Sequence, residues 1–69
     1  MLTLLCILLY LSEITSPNTY WTSEIEAIEQ QNQAEIQQIE SDQQLTNQIV
    51  YDYQDDASWI DFYDDPGGW

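Results

Sequence analysis

The sequence predicts a mainly α fold: an N-terminal apolar helix, one long amphipathic helix with an eleven-residue repeat, and an acidic aromatic tail that is mostly irregular or disordered when free. Three observations predict it. Residues 1–11, MLTLLCILLYL, are apolar apart from Thr3. Ile25 and Ile28 return eleven residues later as Ile36 and Ile39, and Val50 follows Ile39 by one further period. Residues 51–69, YDYQDDASWIDFYDDPGGW, interleave aspartates with aromatic rings. The chain divides accordingly into an apolar anchor or buried helix (1–14), a break (15–22), an amphipathic helix (23–51) and an acidic aromatic tail (52–69).

Residues 1–14 admit three readings. A secretory signal normally carries a positive n-region, which is missing here. A membrane span needs about 20 apolar residues, but Glu13 stops the run, and a helix extended to Ile14 rises only about 21 Å. The third reading is a buried segment packed on the central helix. Signal, anchor and core stay open, with a membrane-associated or exported protein favoured over a soluble cytoplasmic one. Cys6 is the only cysteine, so no internal disulfide forms, and it serves as a small apolar residue. In the following break, Pro17 pushes Ser16 out of helical geometry, and Asn18 and Thr19 suit a turn.

The central helix is expected to start at Ser23, whose hydroxyl forms a capping box with Glu26. Glu24 and Glu26 also suit the positive end of the helix dipole. Eleven residues make almost three helical turns, so the isoleucines form one narrow stripe. Asn32 and Gln43 lie on it as a polar layer of the kind that fixes register in coiled coils. The period favours a slightly right-handed supercoil. Such a stripe suits a seam with a partner helix, while Ala34 and Leu45, on the opposite face, cradle the N-terminal segment folding back as a helical hairpin. Glu24 and Glu35 flank the stripe on one side, Glu29 and Glu40 on the other. In a parallel self-coil these like charges repel, so a homo-oligomer is disfavoured near neutral pH and a basic partner helix is favoured.

The tail has the composition of a recognition segment that orders on binding. Ser58–Asp61 is expected to begin one helical turn, ended by Pro66-Gly67-Gly68. The partner-binding residues expected from stripe and tail together are Ile25, Ile28, Ile36, Ile39, Val50, Trp59, Ile60, Phe62, Tyr63 and Trp69. Aromatic residues of this kind are common interface hot spots.

The chain has no lysine, arginine or histidine against thirteen Asp and Glu, a net charge of −13. Contacts to phosphates need cations, so direct binding to nucleic acid or anionic lipid is not expected. Basic protein surfaces are the natural partners. Paired carboxylates act as acid and base only in a pocket that separates their pKa values, and no nucleophile–base pair can be drawn without histidine or lysine. No catalytic residue, cofactor or dedicated metal site is expected. Asp61, Asp64 and Asp65 lack the spacing of a calcium loop and offer only weak divalent binding. A chain of 69 residues buries about 60% of its unfolded surface, which makes a partner, a membrane or self-association helpful to stability.

The run YWTSEIEAIEQQNQAEIQQIE (20–40) with ASWIDFY (57–63) resembles in composition the C-terminal helical repeat of lentiviral transmembrane envelope proteins. That resemblance implies one strand of a heteromeric helical bundle, although the disulfide loop of that family has no counterpart here. The leading expectation is a non-enzymatic small acidic interaction protein, of a size and composition that suit a virus or phage, pairing through a helix and an acidic aromatic tail with a basic partner. One alternative is a DNA mimic that fills the basic groove of a nucleic-acid-binding enzyme. Another is a structural subunit of a virion or membrane complex.

Overall fold

A computed structural model describes residues 2–63. In chain order these form α1 (Leu2–Tyr10), β1 (Asn18–Trp21), α2 (Thr22–Gln31), α3 (Gln33–Glu40), α4 (Gln43–Ala57) and β2 (Ile60–Tyr63). The mainly helical class holds, with a small two-stranded sheet added to it.

A helix that is apolar all round must be covered all round. In α1 the consecutive residues Leu5, Cys6, Ile7 and Leu8 are all buried, which is more than a full turn. The helix packs mainly on α4, with α3 alongside. Its end is set by Ser12, which adopts φ 62°. The Glu13 N–H donates to the Leu8 carbonyl at 2.9 Å and the Ser12 N–H to the Leu9 carbonyl at 3.0 Å, the paired bonds of a Schellman stop. The helix therefore ends at Tyr10, not at Ile14, and Ile14 returns to the core at 3% exposure. No helix among the described residues is long and apolar enough to cross a membrane.

The single helix expected over 23–51 is three helices. The first break is at Asn32, φ −116° and ψ 20°. Its side-chain amide donates to the Ile28 carbonyl at 2.9 Å, and its backbone N–H is shared between the Ile28 and Glu29 carbonyls at 3.1 and 3.2 Å. A polar side chain thus competes with the backbone ladder for one acceptor, which bends a helix. At the second break the Ser41 hydroxyl donates to the Gln38 carbonyl at 2.7 Å. Asp42 is extended there, and its Oδ1 accepts the Leu45 N–H at 3.2 Å as the N-cap of α4. The Thr46 hydroxyl, donating to the Ile39 carbonyl at 2.7 Å, holds the two helix ends together. The start of α2 also differs from expectation. Trp21 rather than Ser23 is the N-cap residue, and its N–H is taken by Glu24 Oε1 at 2.9 Å.

The remaining segments carry regular structure where little was expected. The break at 15–22 contains β1, and residues 52–57 continue α4. Ser58 caps that helix, its hydroxyl donating to the Asp55 carbonyl at 2.6 Å, so no new helical turn starts there. Ile60–Tyr63 is instead β2, paired in parallel with β1: Asn18 with Ile60, Thr19 with Asp61, Tyr20 with Phe62 and Trp21 with Tyr63. Parallel neighbours need a long crossover, and here α2, α3 and α4 supply it. The Ser16 hydroxyl donates to the Asp56 carbonyl and ties the loop before β1 to the end of α4. Residues 64–69, with Trp69 and the Pro66-Gly67-Gly68 stop, lie outside the described residues.

Every helix and β2 contribute to one core: Leu5, Cys6, Ile7, Leu8, Ile14, Ile25, Ile36, Ile39, Ile49, Ala57 and Ile60. Truncating Ile7, which is fully buried, to alanine is expected to cost about 2–5 kcal/mol, measured as a lowered urea midpoint. Conversely, Ser12→Gly relieves a left-handed non-glycine residue and should stabilise by about 0.5–1 kcal/mol. Burial also raises the Cys6 thiol above its ordinary value of 9.0. On raising the pH, the unfolded chain therefore loses this proton first. The stabilisation is complete below 9.0 and is lost as pH rises through the higher folded value. Urea melts at increasing alkaline pH should show a downward stability slope that is shallower in Cys6→Ala.

Candidate functional site

The two strands alternate, so their side chains divide between two faces. Tyr20 and Phe62 are partly buried against the core, with Ile60 fully inside it. Thr19, Trp21, Asp61 and Tyr63 are exposed and form the outward face. Cross-strand pairing sets Trp21 beside Tyr63 and Thr19 beside Asp61. The Trp21 and Tyr63 rings stand 6.0 Å apart between centroids at a 56° tilt. They stay 45% and 58% exposed, and Trp59, just before β2, is 68% exposed. Rings this open contribute little to the core and much to the surface.

Local hydrogen bonds hold this face in place. The Thr22 hydroxyl donates to the Tyr63 carbonyl at 3.2 Å, joining the start of α2 to the end of β2. On β1 the N–H of Thr19 is bonded by Asn18 Oδ1 at 2.8 Å and that of Trp21 by Glu24 Oε1 at 2.9 Å. These alternate amides are the ones a further strand would use, so the side chains blunt this sheet edge. Below the strands, the Tyr20 hydroxyl accepts the Thr15 N–H at 3.0 Å and anchors the preceding loop.

The outward face has a definite chemistry. Asp61 is the same-face neighbour of Tyr63, two residues along β2, which provides a carboxylate about 7 Å from a π surface. Arginine matches that pattern, because its guanidinium stacks on aromatic faces while its N–H fork pairs with a carboxylate. Among the described residues no group of three or more His, Cys, Asp or Glu is placed to hold a metal ion.

The structure divides the ten residues singled out in the sequence. Ile25, Ile36, Ile39 and Ile60 lie in the core, and Ile28, Val50 and Phe62 pack partly buried against it. The stripe therefore turns inward, and these four side chains keep only a small edge of surface, that of Ile39 lining a groove between α3 and α4. Trp59 and Tyr63 remain at the surface, and Trp69 is outside the described residues. Two residues missed in the sequence matter here. Trp21 completes the ring pair, and Ile49, off the eleven-residue stripe, is 2% exposed in the core. The alternation of Trp59, Asp61 and Tyr63 with Ile60 and Phe62 was the available signal of a strand. Comparison with family models, curated proteins and solved structures finds no match to this chain.

Because Trp59 and Tyr63 are mostly in solvent, replacing either by alanine should change the urea-derived stability by less than about 0.5 kcal/mol. A loss comparable to that of a core isoleucine would show that these rings are structural.

Proposed function

We propose that this chain is a non-enzymatic binding module that takes up a basic protein segment, arginine in particular, on the outward face of its sheet. The observation that carries this reading is the exposed Trp21–Tyr63 pair with Asp61 beside it. The charge supports it as well: at −13, with no lysine or arginine, the molecule steers a cationic segment toward itself from any direction. The rings then distinguish capture on this face from general attraction. Exposed cation–π contacts contribute about 0.5–1 kcal/mol each, so the expected affinity is modest and rests on several contacts.

The test is a titration of the protein with an arginine-containing peptide and its lysine counterpart, followed by tryptophan fluorescence. Trp21→Ala with Tyr63→Ala leaves the net charge unchanged. The double variant should bind the arginine peptide about fivefold or more weakly, and the native protein should prefer arginine to lysine. Equal binding by variant and native protein would remove the sheet face from the account.

A DNA-mimic role is a second reading, supported by the acidic surface: among the described residues no charged side chain is buried. It predicts a different response. Affinity for a basic nucleic-acid-binding protein should fall steeply with added salt and be indifferent to loss of the two rings.

A further inference from the structure

A second surface lies where α3 meets α4. Leu11, Ile39 and Leu45 line an open groove of about 290 Å³, with Glu35, Gln38 and Asp42 contributing its polar lining. Its size is at the small end of ligand sites, room for one side chain or a compact organic ion. Leu45 lies about 18 Å along the α4 axis from Ala57, the end that leads into β2, and groove and sheet face share no residue.

We infer that this groove is a binding site for a cation on an aliphatic stem, namely an arginine or lysine side chain of a basic partner. The stem lies against Leu11, Ile39 and Leu45, and the cationic head lies between Glu35 and Asp42. Charge complementarity selects this occupant. Both carboxylates are exposed, and the chain contains no lysine, arginine or histidine to pair with them. A second copy of the chain brings no cationic side chain and adds thirteen more acidic ones, so self-association at this groove is opposed. A purely apolar ligand gains nothing from the carboxylates and leaves them beside a desolvated surface, which costs free energy. Asp42 is well suited to its part because it is already fixed, its Oδ1 accepting the Leu45 N–H at 3.2 Å. The break between α3 and α4 thus builds the groove and orients one of its charges together.

The probe is n-butylguanidinium, which reproduces the arginine side chain, with n-butylurea as its uncharged counterpart. Each is titrated into the full-length chain and followed by amide chemical shifts. The inference predicts saturable shifts centred on Leu11, Gln38, Ile39 and Leu45 with the cation, and none of comparable size with the urea. Glu35→Gln with Asp42→Asn should weaken binding about fivefold or more; asparagine retains the capping oxygen, so α4 keeps its start. Glu35→Gln alone, which touches no cap, should give an intermediate loss. Equal binding of the urea would overturn the inference, as would unaltered binding by the double variant or shifts scattered over all the acidic residues. Trp21→Ala with Tyr63→Ala should leave the groove shifts unchanged, so this site and the sheet face succeed or fail separately.

Discussion

The structure depends on covering a helix that has no polar face. The middle turn of α1 cannot lie on a surface, because Leu5, Cys6, Ile7 and Leu8 present apolar side chains in every direction, while Leu2 and Tyr10 at its ends stay half exposed. Its main cover is α4, with α3 alongside, and Ile25 from α2 and Ile60 from β2 complete the same core. A straight rod touches a second helix along one line. Three shorter helices, broken at Asn32 and Asp42, can instead direct their apolar sides into one core. The breaks in the eleven-residue pattern are therefore the means by which its isoleucines join that core.

How much of this is legible in the sequence depends on whether a feature is local. The apolar first helix follows from composition, and the helical content from the spacing of Ile25, Ile28, Ile36 and Ile39. The breaks do not follow as directly. Asn32 acts through a side-chain bond to the Ile28 carbonyl, yet on the stripe it reads equally well as a polar layer facing a partner. Ser41 and Asp42 are cap formers, but the repeat carries the eye across them. The sheet is harder still, because β1 and β2 pair with no hairpin turn between them and three helices intervene. The exposed rings divide in the same way. Trp59 and Tyr63 stand out as aromatic residues among aspartates, whereas Trp21 joins them only through a strand pairing that no local pattern announces.

Charge imposes a second constraint. With a single sign of charge, the helices lack the ion pairs that usually brace their surfaces, and amides take over that part. Gln48 Nε2 donates to Asp52 Oδ1 at 3.0 Å and Gln43 Nε2 to Asn47 Oδ1 at 3.0 Å, each one helical turn apart. Carboxylates are placed against backbone donors instead: Glu24 on the Trp21 N–H, Asp42 on the Leu45 N–H. The same absence of cations leaves the outer faces with acceptors and rings to offer, and positive charge must come from elsewhere.

The packing of α1 on α4 also sets a timetable for synthesis. A ribosome makes α1 well before α4, its main cover. At roughly 5–20 residues per second, the apolar helix waits on the order of several seconds for its own chain to enclose it. During that interval its buried face is an unclaimed surface, open to whatever apolar environment stands nearest. The fold that conceals α1 in the finished molecule is thus unable to conceal it during synthesis.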